Sequence, residues 1–191
     1  MNLQQAKEYT AKLFTTKWVK WVHKGTNHAK NNLEKMTNVL KGENSKHCAR
    51  CLNLNGCCFV AEKCPVKPLH PNCHCYTVYI PHVEIKAECF IEKFTRYVFI
   101  SSAINDKKQL FESWGYGIMD SEYLQEEFIQ QAQAAYSVGN YKLGLLNDFG
   151  QRINIEIKLK KKNKNEYVTF FSAWMVYPNG KIILITPYGG R

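Results

Sequence analysis

The stretch RINIEIKL, residues 152–159, decides the fold of the second half of this 191-residue chain. Apolar residues alternate with polar or charged ones along it, which is the pattern of a β-strand with one buried face. Further strands are predicted over residues 167–177 and 181–186. Between them the sequence PNG, residues 178–180, predicts a tight turn, because proline fixes one φ angle and Asn-Gly accepts left-handed conformations. Three successive strands predict an antiparallel meander.

Helices are predicted upstream of these strands. Residues 106–114 fit a short helix, and residues 121–136 form the strongest helical segment of the chain. Asp120 or Ser121 can cap the first turn of the longer helix. We therefore expect an α+β fold in which residues 90–191 form a domain of helices packed on an antiparallel sheet.

The first 82 residues have a different texture. Apolar residues recur every three to four positions from residue 3 to residue 40, with a break at Gly25, which predicts N-terminal helices. Trp18 and Trp21 are interpreted as packing residues, with a partner surface as the alternative. Residues 41–82 contain seven of the eight cysteines and several prolines, so we expect a loop that a metal holds together.

Two cysteine pairs carry the metal prediction. Cys48 and Cys51 lie in the sequence CARC, and Cys73 and Cys75 lie in HPNCHC, residues 70–75. The separation between the pairs is ordinary for one tetrahedral site, and thiolate ligands favour zinc over hard cations. The sequence contains neither HExxH nor HxE followed by PCxxC, so a structural Zn²⁺ is predicted rather than a catalytic one.

Several alternatives remain open at this site. Cys-x-Cys is an uncommon spacing, so His70 or His74 can replace a member of the second pair. Free thiols or disulfides are alternatives to a metal, but cysteines in a chain without an export signal favour metal binding. Cys89 is interpreted as a small buried residue. Three more cysteines could hold a second ion or act as ligands: Cys57, Cys58 and Cys64.

Composition and charge limit the function classes. The chain is 45% hydrophobic and 13% aromatic, which is enough to build a core and argues against disorder. A net charge of +10 fits an anionic partner such as nucleic acid, or simply a soluble basic protein. The first twelve residues are polar where a signal peptide needs an apolar core, so we expect no export signal. No apolar run approaches the ~20 residues that span a bilayer, so we expect no membrane partner.

Residues 28–82 resemble a known family. The sequence CARC, then Gly56, then prolines at 65 and 68, then HPNCHC is similar to the C-terminal signature of phage Mu F-type head morphogenesis (minor capsid) proteins. The resemblance implies a phage or prophage head-associated protein with a structural zinc site. It also implies other phage head proteins or DNA as partners, and a location in the bacterial host cytoplasm or the virion. Two modules are expected, residues 1–82 and 90–191.

The second half carries another resemblance. GQR at residues 150–152, WMVYPNGK at 174–181 and TPYGG at 186–190 are similar to a small uncharacterised phage and bacterial domain family. A helix followed by an antiparallel sheet also resembles the barnase/EndoU-like ribonuclease fold, at the level of the fold alone. The resemblance implies an alternative function, an RNA-cleaving toxin or effector, with RNA as its partner.

A metal-independent ribonuclease needs an acid, a base and cations for the phosphate. Residues 83–191 contain no histidine, the usual acid and base, so we expect a protein without enzymatic activity and keep the ribonuclease as the alternative. In that alternative Arg152 and Lys181 contact the phosphate, and Thr186 or Tyr188 lies near the scissile group. The structural interpretation gives Arg152 an ion pair and Tyr188 a packing role.

Overall fold

The computed structural model describes residues 3–23, 48–70, 73–100 and 107–188. Within these ranges helices and two β-sheets form an α+β fold, as the sequence predicts. One sheet has three strands and belongs to the first 80 residues. The other has five strands and contains the predicted meander.

The chain begins with helix α1, Leu3–Thr15, and continues into strand β1, Trp18–Val22. The prediction of helix through this region is therefore wrong for β1. The sequence WVKWV has the aromatic and β-branched residues that favour strands, and pairing on both sides outweighs its approximate helical spacing. The rest of the predicted helical region, residues 24–40 with Gly25, lies outside the described residues.

Strand β1 is the centre of the three-stranded sheet. It pairs antiparallel with β2, Cys58–Val60, on one side and with β3, Tyr76–Ile80, on the other. A short helix, α2, covers Ala49–Leu54 just before β2. In the described part of residues 41–82 the regular elements are short, as predicted for a loop-rich segment.

The five-stranded sheet has the order β4-β8-β7-β6-β5. Strands β5 to β8 form an antiparallel meander, which confirms the prediction and extends it by one strand. Strand β4 pairs parallel with β8, and the sequence analysis predicted neither β4 nor β5. The five strands are Lys86–Glu88 (β4), Lys142–Asn147 (β5), Gly150–Lys160 (β6), Tyr167–Val176 (β7) and Lys181–Thr186 (β8).

Both helices predicted for the second half, over residues 106–114 and 121–136, are present, and a further helical turn precedes them. A π-helical turn covers Lys93–Val98, helix α3 covers Lys107–Ser113, and helix α4 covers Ser121–Ser137. The predicted capping of α4 by Asp120 or Ser121 does not occur. The Asp120 carboxylate instead accepts hydrogen bonds from the backbone N–H of Gly117 and from Lys162, and Ser121 Oγ donates to the Ile118 carbonyl.

The core lies between α4 and the inner face of the five-stranded sheet. The alternating apolar residues of β6 are all buried there: Ile153, Ile155, Ile157 and Leu159. Burying a side chain of this size contributes about 2 kcal/mol. The same hydrophobic cluster continues into the first sheet, where the rings of Trp18 and Tyr136 lie 5.6 Å apart. Trp18 and Trp21 are both buried, which confirms their interpretation as packing residues. Independent folding of residues 1–82 and 90–191 stays a prediction.

Candidate metal centre

Local structure places Cys48 and Cys51 side by side. Cys48 is the residue before α2, and its carbonyl oxygen accepts the N–H of Leu52 at 3.1 Å, which closes the first helical turn. Cys51 lies within that turn and is almost completely buried. A spacing of three residues on one turn directs both side chains to the same side of the helix. The CARC sequence therefore presents both thiols to one point.

The second cysteine pair enters the site from the strand that follows it. Cys73 and Cys75 lie just before β3, and β3 pairs with β1, so both sulfur atoms lie next to α2. Two groups of donor atoms form, and within each group all atoms lie within 4.8 Å of one another. One group contains Cys48, Cys51 and His70; the other contains Cys51, Cys73 and Cys75. Cys51 belongs to both groups and is the centre of the cluster.

Distances within the cluster suit a tetrahedral metal ion. The sulfur atoms of Cys51 and Cys73 are 3.8 Å apart. Two thiolates bound at ~2.3 Å to a tetrahedral zinc ion are about 3.8 Å apart, so this pair needs no rearrangement. The Nε2 atom of His70 lies 3.0 Å from Cys51 Sγ, so it would have to move outward by about 0.5 Å to share a metal with that sulfur. These residues can hold a metal ion.

The sulfur–sulfur distance also shows that Cys51 and Cys73 do not form a disulfide. A disulfide requires a sulfur–sulfur distance of about 2.05 Å, far below the 3.8 Å between Cys51 and Cys73. All eight cysteines are free. The cluster therefore presents thiols that can be deprotonated and ligate a metal.

Burial and neighbouring thiols set the protonation of the cluster. Burial, together with the neighbouring Cys75 and Cys73, raises the pKa of the Cys51 thiol well above its usual value. Burial also raises the pKa of Cys75. For Cys73, hydrogen bonds from the backbone of Leu69 and Cys75 outweigh the effect of burial and lower the pKa to about 7. A bound metal would displace protons from these thiols, so metal affinity rises with pH.

His23 is the site residue that the sequence analysis missed. It follows β1, and the register of β1 with β3 places it beside Cys75. His23 is only 7% exposed, and its Nδ1 atom lies 3.2 Å from Cys75 Sγ. Its backbone N–H donates to Asn55 Oδ1 at 3.0 Å. The signal was the period-two continuation of WVKWV into His23, which the helical interpretation of this region concealed.

The structure distinguishes the two histidines left open by the sequence. His70 belongs to a donor group, whereas His74 is exposed and belongs to neither group within the described residues. The alternation of a nearly extended chain explains the difference, since Cys73 and Cys75 face the cluster and the residue between them faces away. Of the two, His70 is the candidate ligand.

The remaining cysteines have packing roles. Burial raises the pKa of Cys57 to about 12, of Cys64 to about 11 and of Cys89 to about 12, so these thiols are poor nucleophiles at neutral pH. Cys57 donates its thiol hydrogen to the Asn53 carbonyl oxygen at 3.3 Å, and Cys58 donates to that of Gly56 at 3.5 Å. The predicted burial of Cys89 is confirmed.

The segment after α2 connects the cysteine cluster to the five-stranded sheet through the turn at residues 178–180. Cys57 forms an isolated antiparallel bridge with Pro178, and the N–H of Asn179 donates to the Gly56 carbonyl oxygen at 3.0 Å. Asn179 and Gly180 have φ angles of 61° and 79°, which confirms the predicted left-handed turn. A Cβ atom at Gly180 would overlap the carbonyl oxygen of Glu84. The turn therefore contacts both the cysteine-rich segment and the chain before β4.

The four residues predicted for a ribonuclease do not lie at one point. Lys181 begins β8 and forms an ion pair of 2.7 Å with Glu88, whereas Thr186 ends β8, about 17 Å away at ~3.4 Å per residue. The Thr186 hydroxyl donates to the Tyr188 carbonyl oxygen at 3.0 Å, and the Tyr188 ring lies 5.6 Å from that of Phe170. Arg152 lies two strands from β8, on β6. Their ribonuclease role stays a prediction.

Comparisons with protein-family models, with curated sequences and with solved structures gave no match to this chain. Among the described residues, none of the helices combines the length and the apolar composition needed to cross a bilayer.

Proposed function

We propose that residues 48–75 form a structural zinc centre. The main support for this proposal is that the two cysteine pairs lie together, with Cys51 Sγ 3.8 Å from Cys73 Sγ. Cys48 and Cys75 complete a four-thiolate set, and His70 is the alternative fourth ligand. Zinc is the metal that best fits sulfur and imidazole ligands in tetrahedral geometry. Bound there, it supplies folding free energy to a segment with only short elements of its own.

The contacts of this segment give the zinc centre a positioning role. The proposed ligands precede β2 along the chain, at α2, and follow it, just before β3. One ion bound to both sets therefore fixes the loop that contains β2. That loop contacts the second sheet through Cys57 and Pro178. In this proposal the ion fixes the position of the β2 loop against the five-stranded sheet and performs no chemical step.

The cellular role that we propose is a head-associated component of a phage or prophage, of the minor capsid or head morphogenesis type. Its support is the resemblance of residues 28–82 to that family. Residues 90–191 would contact other head proteins or DNA. They contain 13 lysine and arginine residues against 10 aspartate and glutamate residues, in a chain whose net charge of +10 favours anionic partners. Such a protein would occur in the bacterial host cytoplasm and in the virion.

Metal analysis of the purified protein tests the zinc centre. The full chain should contain about one zinc ion, as a single tetrahedral site requires. Cys51→Ser should abolish zinc binding, because Cys51 belongs to both donor groups. Cys89→Ser is the matched control, since Cys89 is buried elsewhere and should leave the zinc content unchanged.

The zinc centre and the head-associated role can each be excluded by a different result. A zinc-free protein with full thermal stability would exclude the structural zinc centre. Mass spectrometry of purified virions tests the head-associated role, and consistent absence of the protein from virions that are otherwise complete would exclude it.

A further inference from the structure

The β6–β7 hairpin exposes a surface of lysines and aromatic rings, which we call the hairpin face. Lys158 pairs with Thr169, and Lys160 pairs with Tyr167, so these four side chains point to the same side of the sheet. Ile157 and Leu159, which alternate with them, are buried on the side of α4. The alternation of β6 therefore turns its lysines outward.

Aromatic rings lie beneath the cations of the hairpin face. Lys158 Nζ is 4.5 Å from the centre of the Tyr167 ring, and Lys142 Nζ, from β5, is 4.6 Å from the centre of the Phe171 ring. Tyr167 is 58% exposed. Such cation–π pairs hold long lysine side chains over a ring without neutralising their charge.

Among the described residues, Lys142, Lys158 and Lys160 form no ion pair, because the nearby carboxylates pair with other lysines. Glu166 pairs with Lys161 at 2.8 Å, and Asp120 pairs with Lys162 at 2.6 Å. Neither carboxylate therefore neutralises Lys142, Lys158 or Lys160. Glu156 is the acidic residue on the hairpin face itself, opposite Phe171. The face keeps a positive charge next to exposed ring surface.

We infer that the hairpin face binds single-stranded nucleic acid. Single strands are recognised by cations that follow the phosphates and by aromatic side chains on which bases stack. A duplex hides its base faces, so the exposed Tyr167 ring favours a single strand over a duplex. RNA and DNA strands offer the same phosphates and base faces. This inference deepens the interaction role proposed for residues 90–191 and is independent of the metal.

Fluorescence anisotropy with labelled U20, dT20 and a 20-base-pair duplex tests the inference on the full chain. Either single strand should bind more tightly than the duplex, and comparison of U20 with dT20 shows whether the RNA or the DNA strand is preferred. With three phosphate contacts, affinity should fall about 20-fold between 50 and 200 mM salt. Lys158→Gln with Lys160→Gln should weaken binding about tenfold or more, and Tyr167→Ala should weaken single-strand binding by a similar factor.

Matched control variants distinguish binding at the hairpin face from nonspecific binding due to the overall positive charge. Lys7→Gln with Lys12→Gln removes the same charge from exposed positions of α1, and Tyr79→Ala removes an exposed ring from β3. Equal losses in the control and hairpin variants, tighter binding of the duplex, or no binding at 50 mM salt would overturn the inference. Zinc content, measured on every variant, distinguishes failure of the metal centre from failure of the hairpin face.

Discussion

The Tyr136 hydroxyl donates a hydrogen bond to the carbonyl oxygen of Cys58. Both residues are buried, and the bond joins α4, which covers the five-stranded sheet, to β2 of the other sheet. Tyr141 makes a related contact, since its hydroxyl oxygen accepts the N–H of Val60 at 3.3 Å. Two tyrosines after residue 90 thus satisfy backbone groups of the cysteine-rich segment.

Tyr136→Phe should lower the free energy of unfolding by about 1–3 kcal/mol, because it leaves a buried carbonyl oxygen without its donor. Urea denaturation of the full chain measures the change. Tyr79→Phe is the control, since Tyr79 is 76% exposed and should change stability little. Equal stabilities of the two variants would show that the Tyr136 bond contributes nothing.

A fragment of residues 90–191 tests the predicted modules. The fragment lacks Trp18 and β2, so it exposes Tyr136 and Tyr141 to water. It should fold, because the β5–β8 meander and α4 are intact, but with a lower urea midpoint than the full chain. A molten fragment would show that the two modules share one indispensable core, whereas an unchanged midpoint would show that they are independent.

Gly180→Ala should destabilise the protein by roughly 2–4 kcal/mol, because the residue has a left-handed φ angle and a Cβ atom would collide with Glu84 and Val83. Gly117→Ala is the control. Gly117 has a φ angle of −126° and no neighbour within 4 Å of an added Cβ atom. Thermal and urea denaturation of both variants measure the difference, which should vanish if the turn can rearrange.

His23→Gln should weaken zinc binding about 10–100-fold, as expected for a residue that contacts a ligand and orients it. The reason is the 3.2 Å contact between His23 Nδ1 and Cys75 Sγ. Competition with a chromophoric chelator gives the affinity. His74→Gln, at an exposed position next to the same cysteine, should bind zinc normally, and equal affinities would remove His23 from the site.

The Lys162–Asp120 ion pair should make a pH-dependent contribution to stability. The hydrogen bond from Lys162 and that from the Gly117 N–H hold the pKa of Asp120 below its usual range. Because the folded-state pKa is lower than the unfolded one, the contribution is present above about pH 4 and is lost as pH falls through the folded-state value.

Lys162→Met should therefore cost about 0.5 kcal/mol at pH 7, since the Lys162 side chain is 48% exposed, and the cost should shrink as pH falls below about 4 and through the folded-state pKa of Asp120. Lys164→Met, in the same loop, is the control. Urea denaturation at several pH values tests the dependence, and a cost that does not change with pH would contradict it.

Local sequence patterns predicted those helices and strands in which the spacing of apolar residues shows which face is buried. RINIEIKL alternates clearly because one face of β6 is buried, and α4 has helical spacing over 17 residues. Strand β4 has only three residues and no alternation to detect, and its partner β8 lies far along the chain. For β1, WVKWV fits a helix or a strand locally, and pairing with β2 and β3 decides between them.

The candidate metal site also contains residues that local sequence predicts and one that it does not. Cys48, Cys51, Cys73 and Cys75 could be predicted as one cluster because each pair has a spacing typical of metal ligands, and the structure brings their thiols into two neighbouring donor groups. His23 lies 25 residues before Cys48 along the chain and reaches the cluster only through the β1–β3 register, roughly 50 residues away from Cys75. Residue type alone therefore cannot identify such a contact before the strand pairing is known.

The parallel pairing of β4 with β8 has a consequence for synthesis on the ribosome. Lys86 precedes its partner Lys181 by roughly 95 residues, which is about 5 to 20 s of translation at ~5–20 residues per second. Through that interval β4 has emerged while its neighbour in the sheet does not yet exist. The cysteines proposed as zinc ligands, all within residues 48–75, emerge before any strand of the second sheet. Under the proposed zinc centre, a nascent chain can therefore bind the metal before the surface against which that segment packs has been made.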